Sequence, residues 1–334
     1  MWLKRLYLSN FRNYESAEVT FAPTTNLITG ENGQGKTNLL EAIHLISTGR
    51  SFRTSHLSDL IRHGQSTFFI EAEFERDGIE SKIALSFDGR LRKAKINATT
   101  YNTFSNVLGL LPSVLFAPHD HALIAGAPAD RRRFLNIHIA QTDPLYVHHL
   151  LRYSKALKHR NALLKAKSEN GIEVFEAQMA ISARYLIDKR RQAIQSLLPY
   201  IDGFELRYHP SLDSQLDWST RAKELILGST LHGPHRDDLH IIHDGKSAKS
   251  YSSEGQKRRC LATLKLAEWQ LLSALTGGKP LMAIDDFGVH LDESNSTSLE
   301  KSLNTLGQVF ITSPTPSINA ENTLFAAQGS IITN

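Results

Sequence analysis

The sequence predicts an α/β protein whose head is split by an α-helical insert. Three observations carry that prediction. A glycine-rich string, Gly30 to Thr37, lies between a short apolar run and an amphipathic stretch. A second apolar run, Leu281 to Ile284, ends in two aspartates, and from position 36 to position 285 is 249 residues. Between these two segments the middle third reads mostly as helix, whereas both flanks mix strands with helices, the pattern of an α/β sheet.

The elements follow in chain order. Leu3 to Leu8 and Ala17 to Phe21 alternate as half-buried strands do. Asn26-Leu27-Ile28-Thr29 is a short strand ending at glycine, and Thr37 to Ser47 has helical spacing, with Leu39, Leu40, Ile43, Leu45 and Ile46 apolar. Phe68–Phe74 and Ile79–Phe87 read as strands around the turn Asp77-Gly78, and Leu91–Ile96 as a further edge strand. After Val114-Leu115-Phe116 come helical stretches near Asp130–Ile139, Pro144–Ala166 and Ile172–Leu198, broken at Ser168-Glu169-Asn170-Gly171. The last of these reaches about 40 Å at 1.5 Å per residue, an antiparallel arm and not a long coiled coil. Glu205–Tyr208 and Leu239–His243 return to strand. Gln256 to Leu275 is an amphipathic helix with Leu261, Leu264, Ala267, Leu271 and Leu275 on one stripe. Val309-Phe310-Ile311 and Phe325 to Ile332 supply the last strands. The domain expectation is a discontinuous head, 1–115 and 205–334, with an arm at 116–204.

The 334 residues are 41% apolar and 22% charged, ordinary for a globular chain, which excludes a disordered or fibrous protein. A single cysteine, Cys260, excludes an internal disulfide. No apolar run reaches the roughly 18 residues of a membrane span, and Met1-Trp2-Leu3-Lys4-Arg5 does not resemble a signal peptide. A cytoplasmic protein with no membrane partner is expected. The net charge is +4, and residues 116–204 hold 13 Lys or Arg against 8 Asp or Glu. The excess base therefore sits in the arm, which points to an anionic partner there.

Gly30-Glu31-Asn32-Gly33-Gln34-Gly35-Lys36-Thr37 fits the spacing G-x-x-x-x-G-K-[ST]. Its glycines let backbone N–H groups turn inward around an anion, and the following helix aims its positive end at the same point. Lys36 has the reach for the β and γ phosphates, and the Thr37 hydroxyl is placed to ligate Mg²⁺. ATP with Mg²⁺ is the expected cofactor pair. Such a loop needs a carboxylate at the end of a neighbouring strand. Asp285 is the candidate magnesium holder, and Asp286 the candidate base that orients the attacking water. Their distance from the loop excludes a simple kinase or GTPase core and requires an insert.

Ser252-Ser253-Glu254-Gly255-Gln256-Lys257 opens the helix before the acid strand. At that position it resembles the signature motif of the ABC ATPases, in which Ser253, Gly255 and Gln256 would reach the γ-phosphate held by a second copy. The whole chain then resembles the RecF family, compact relatives of the SMC proteins. The resemblance rests on Leu8-Ser9-Asn10-Phe11-Arg12-Asn13-Tyr14, Asn38-Leu39-Leu40-Glu41-Ala42, Phe116-Ala117-Pro118-His119-Asp120 and Arg131-Arg132-Arg133-Phe134-Leu135. It rests also on Thr230 to Leu239, which contains Gly-Pro-His-Arg-Asp-Asp, and on Leu264-Lys265-Leu266-Ala267-Glu268. Two positions depart from the family pattern: Asn136, where aspartate is usual, and His290, where an acid is usual.

The resemblance implies an ABC/SMC-type P-loop head with a helical arm, ATP-dependent homodimerisation and a dimer-contact loop around Asp292. It also implies weak DNA-dependent ATP hydrolysis used as a switch, and binding of double-stranded DNA at gaps or duplex–single-strand junctions. RecO and RecR would be the partners in loading RecA. Arg131, Arg132 and Arg133 are candidate DNA contacts, since they lie in the basic third of the chain. Lys257-Arg258-Arg259 lies beside the signature and fits the dimer better. His235, Asp237 and Asp238 suggest a metal site only weakly, because no His or Cys cluster accompanies them at ligand spacing. A transporter ATPase subunit would hold its loop and acid strand closer together. A structural SMC protein would need long heptad repeats, and a kinase would lack the Ser-x-Gly-Gln element.

Overall fold

Alternation in the first third becomes, in a computed structural model, one antiparallel sheet. Its strand order is Tyr14–Thr20, Trp2–Phe11, Phe68–Arg76, Ile79–Phe87, Arg92–Ile96, Thr99–Tyr101. The structure describes residues 1–212, 218–286, 305–315 and 318–333. Leu3, Leu6 and Leu8 are all fully buried although the first two are three residues apart. A bulge between Leu3 and Arg5 resets the phase of the strand, so both sides of it present leucine to the core. Arg92–Ile96, expected at the edge, is interior, because Thr99–Tyr101 pairs outside it.

The second sheet holds the predicted apolar runs. Its order is Ser330–Thr333, Asn322–Ala327, Thr25–Thr29, Val309–Ser313, Leu281–Ile284, Ser113–Phe116, and all neighbours are parallel except the first pair. Thr25–Thr29, Val309–Ser313, Leu281–Ile284 and Ser113–Phe116 are covered on both faces, which is why their apolar residues read as continuous runs. Leu281 and Ala283 join the core that contains Leu39 and Ile43 of the helix Lys36–Thr48. Met282 and Ile284 join the core of Trp269 and Leu272. Leu275, expected on the buried stripe of the helix Glu254–Thr276, is 57% exposed, since it lies in the helix's last turn.

The expected last strand, Phe325 to Ile332, is instead a hairpin. Gln328 (φ 47°) and Gly329 (φ 74°) form a two-residue turn between paired Ala327 and Ser330. Positive φ at both positions is the backbone of a type I′ turn, whose twist matches that of the strands.

The residues group into two compact units, Met1–His121 with Leu261–Asn334, and Ala122–Cys260. The second unit contains the helices Pro128–Ala140, Pro144–Lys165 and Ile172–Leu197 with a three-stranded antiparallel sheet, Lys246–Ser247, Asp238–His243, Glu205–His209. Residues 205–260, which the sequence assigns to the head, thus group with the helices of the arm. Buried ion pairs account for this. Arg160, fully buried, bonds Glu176 and Glu224, and Arg190, 2% exposed, bonds Asp237. A short helix with no strong sequence signal, Arg221–Leu227, supplies Glu224 and ends at Gly228 in the left-handed conformation.

Candidate functional site

The glycine-rich loop leaves the strand Thr25–Thr29 and enters the helix Lys36–Thr48. Two of its glycines are obligatory. A Cβ on Gly30 (φ 140°) would lie 2.4 Å from the carbonyl oxygen of Ala326, and one on Gly35 (φ 121°) 2.7 Å from the Tyr14 hydroxyl. The loop is gripped from two sides. Asn13 Nδ2 donates to the Gln34 carbonyl at 3.0 Å and the Tyr14 hydroxyl to the Gly35 carbonyl at 2.9 Å. From the C-terminal hairpin, the Gln328 N–H donates to Gln34 Oε1 at 2.6 Å. Glu31, Asn32 and Gly33 face outward. Lys36, 5% exposed, curls back over the loop, its Nζ donating to the carbonyls of Gly30 and Glu31.

Beside the loop, the Thr37 hydroxyl donates to Asp285 Oδ1 at 3.0 Å, and the Thr312 hydroxyl donates to the same oxygen at 2.8 Å. Asp285 is 8% exposed, and its carboxyl is raised above the ordinary range, first by burial. The two hydroxyls pull it down, and the charge of Asp286 pushes it up. Asp286 has a left-handed backbone (φ 56°), and its N–H donates to the Thr312 hydroxyl at 2.8 Å. Glu41, one helical turn beyond Thr37 and fully buried, accepts a forked bond from Arg12 at 2.8 Å to each oxygen. Ser51 and Arg53 complete its shell. Thus the turn at Arg12, the loop at residues 51–53 and the helix are tied through one carboxylate.

Sequence reasoning places Thr37 and Asp285 together but misses Thr312, Glu41, Gln328 and the roles of Asn13 and Tyr14. Thr312 follows the apolar run Val309-Phe310-Ile311, so a polar residue at a strand end is its signal. Gln328 carries none, because it acts through its backbone.

At the helix Glu254–Thr276 the Ser253 hydroxyl accepts from the Gln256 N–H at 3.2 Å, and Gln256 Oε1 accepts from the Ser253 N–H at 2.7 Å. This is a reciprocal capping box. Ser253, Gly255 and Gln256 are all exposed. Asp292 and His290 lie outside the described residues.

The chain matches the RecF/RecN/SMC N terminal domain family over residues 2–326. It is 43% identical to the DNA replication and repair protein RecF of Protochlamydia amoebophila, across 97% of this chain and 98% of that protein. The chain belongs to the RecF family. The corresponding protein of Chlamydia abortus is 40% identical across 93% of this chain and 91% of its own. A solved structure of the recombination mediator protein RecF-ATPrS in the RecFOR pathway superposes with a TM-score of 0.90 at 30% identity, over 99% of this chain and 98% of that one. The fold is accordingly α/β, with a P-loop head of the ABC/SMC type. Among the described residues no helix is long and apolar enough to cross a membrane.

The Gly-Pro-His-Arg-Asp-Asp string of this RecF-family chain proves to be an internal anchor. Asp237 is fully buried and accepts from Arg190 at 2.9 Å, from the Ser211 N–H at 2.8 Å and from Tyr208. Asp238 takes a two-pronged bond from Arg131 at 2.7 and 2.9 Å. His235 receives the Tyr153 hydroxyl on Nδ1 at 2.7 Å, while Nε2, facing the Thr230 carbonyl at 3.2 Å, carries the proton. Among the described residues no group of His, Cys, Asp and Glu has the spacing of a metal site. Asn136, where the family usually has aspartate, accepts from Tyr146 at 2.6 Å and from Arg190 at 3.0 Å. The three candidate DNA arginines therefore separate. Arg131 is 6% exposed and committed to Asp238, Arg132 donates to the Asp237 carbonyl, and Arg133 is exposed.

Proposed function

We propose that this chain is an ATP-switched DNA-binding protein of recombinational repair and replication restart. The observation that carries the reading is the 3.0 Å contact between Thr37, at the end of the phosphate loop, and Asp285, at the end of the acid strand. Two oxygen donors meeting at the mouth of an anion cradle suit a hard divalent cation. A partly buried carboxylate that resists ionisation gains from one. In this reading Gly30 to Thr37 hold the triphosphate of ATP, and Thr37 and Asp285 hold Mg²⁺, which would neutralise charge developing on the phosphates. Lys36 exchanges its two loop carbonyls for phosphate oxygens. Asp286, the next residue after Asp285, orients the attacking water.

Ser253, Gly255 and Gln256 of a second copy cap the γ-phosphate. Their exposure at a helix N-terminus supports that role, since such an end offers N–H groups and a positive dipole to an anion. Asp292 belongs to the same dimer contact. The nucleotide-holding head is the unit Met1–His121 with Leu261–Asn334, and the arm is the unit Ala122–Cys260. The ATP-bound dimer grips double-stranded DNA at gaps or duplex–single-strand junctions, and slow hydrolysis releases it. It works in the cytoplasm with RecO and RecR to load RecA. The likeness to the RecF-ATPrS structure of the RecFOR pathway supports ATP as the nucleotide. Of the arginine trio, Arg133 is the one exposed for phosphate contact.

Sedimentation velocity with ATP or a non-hydrolysable analogue and Mg²⁺ tests this. The native chain dimerises, Lys36→Met stays monomeric, and Asp286→Asn dimerises but hydrolyses slowly. A native chain that remains monomeric with nucleotide, both alone and with gapped DNA, contradicts the reading.

A further inference from the structure

We infer that the outward face of the helix Pro144–Lys165 is a docking surface for the phosphate backbone of duplex DNA. The inference rests on the DNA-binding reading above and names the surface that performs it. Over Pro144–Lys165 the sequence contains Arg152, Lys155, Lys158, Arg160 and Lys165 and no Asp or Glu. Arg160 points inward and is neutralised by Glu176 and Glu224. Lys155, Lys158 and Lys165 are exposed and Arg152 half-buried, with Tyr146, Tyr153, Ala156, Arg160 and Leu164 on the opposite, buried side.

Seven described carboxylates of the second unit are committed elsewhere. Glu176 and Glu224 serve Arg160, Asp237 serves Arg190, Asp238 serves Arg131 and Asp143 serves Lys189. Glu169 and Glu173 lie against Arg221. Among the described residues none of the four outward cations makes an ion pair, whereas the inward ones do. A helix face that merely meets solvent mixes signs at i,i+3 and i,i+4, because like charges at those spacings cost a few tenths of a kcal/mol each. Arg152, Lys155 and Lys158 keep such a row of like charge, and a polyanion relieves it.

The dimensions agree. The thirteen helical steps from Arg152 to Lys165 span about 20 Å. Duplex DNA carries a charge about every 1.7 Å along its axis, so several phosphates lie within that length. Contacts of lysine and arginine with phosphate carry no sequence information, so binding through this row is indifferent to sequence.

The test is fluorescence anisotropy of a labelled duplex with the full chain, ATP and Mg²⁺, between about 50 and about 200 mM salt. In one variant Arg152, Lys155, Lys158 and Lys165 are all changed to Gln. The expected result is duplex affinity at least about tenfold lower, and a salt dependence flatter by about 0.9 for each phosphate that the variant no longer neutralises. Lys223→Gln with Lys246→Gln, exposed elsewhere in the unit, leaves both unchanged. A single Lys158→Glu gives a smaller loss in the same direction and serves should the fourfold variant fold poorly. Native affinity and slope in both the fourfold and single variants overturn the inference. So does a loss seen on vesicles of anionic lipid but not on duplex. A native chain that dimerises on ATP but binds no duplex under any of these conditions refutes instead the DNA-binding reading on which the inference rests.

Discussion

Thr37 and Asp285 stand 248 positions apart in the chain and 3.0 Å apart in the fold. What brings them together is the parallel register of Thr25–Thr29, Val309–Ser313 and Leu281–Ile284, whose ends align the loop, Thr312 and the acid pair. Thr312 is the hinge of this arrangement. Its hydroxyl donates to Asp285 and accepts the Asp286 N–H, so it orients the one carboxylate and holds the backbone turn of the other. Changing Thr312 to Val keeps the buried shape and removes both bonds. Outer partners of metal-holding groups typically influence affinity by about 10–100-fold. The expected outcome is a Mg²⁺ requirement for ATP binding shifted upward by that order, with magnesium-free nucleotide binding little changed. Calorimetric titration across magnesium concentrations measures it.

A second prediction concerns the grip of the C-terminal hairpin on the phosphate loop. Gly30→Ala places a methyl 2.4 Å from the Ala326 carbonyl at a φ that L residues avoid. Backbone strain of this kind costs about 1–3 kcal/mol, and either the loop or the hairpin must yield. Gly33→Ala, where a Cβ would meet nothing within 4 Å, carries only the conformational part. ATP affinity and melting temperature are therefore expected to fall further in Gly30→Ala than in Gly33→Ala. Equal losses would mean that the hairpin contact is incidental.

Much of this site is legible in the sequence because its chemistry is local. Gly30 to Thr37 carries its own geometry, and Leu281 to Asp286 announces a buried strand with acids at its end. What the sequence hides depends on partners distant in the chain. Glu41 is an ordinary helix residue until Arg12 and Ser51 fold against it. Gln328 works through a backbone N–H, which no side-chain pattern reveals. The arginines at 131–133 read alike as a basic run, yet the helix turns Arg131 toward Asp238 and leaves Arg133 outside. Residues 205–260 read as head because strands are expected there; the ion pairs that join them to the helices require Arg160 and Arg190 to be buried, which composition does not disclose.

Those buried arginines make a third prediction. Arg190 bonds Asp237, the Pro234 carbonyl, Tyr146 and Asn136, and only 2% of it is exposed. Arg190→Met fills similar volume but strands the Asp237 carboxylate. Breaking one partner of a buried pair costs about 3–5 kcal/mol. Urea unfolding is expected to show a midpoint lowered accordingly, with Asp237→Asn in the same background recovering part of the loss because no buried charge then remains unpaired. Failure of the second change to restore anything would assign the loss to packing alone.

The fourth prediction is a pH dependence. Burial pushes His235 down to about 4 from its ordinary 6.5, and its neutral form is held by Tyr153 and Thr230. As pH falls through 6.5 the unfolded chain takes up a proton that the folded chain refuses until about 4. Stability from this group is therefore full above pH 6.5 and is lost progressively down to pH 4, by up to about 3 kcal/mol. His149 and His240, also lowered by burial, add to the same slope, whereas Glu268, raised to about 7 by burial, acts in the opposite direction. The net curve mixes these, but the difference between the native chain and His235→Gln isolates one of them. Gln keeps a donor for the Thr230 carbonyl and does not titrate. Its destabilisation relative to the native chain, measured by denaturant unfolding, is expected to shrink as pH drops from 7 to 5. A destabilisation constant across that range would mean that His235 titrates alike in the folded and the unfolded chain, and one that grows as pH drops that the folded chain favours its protonated ring.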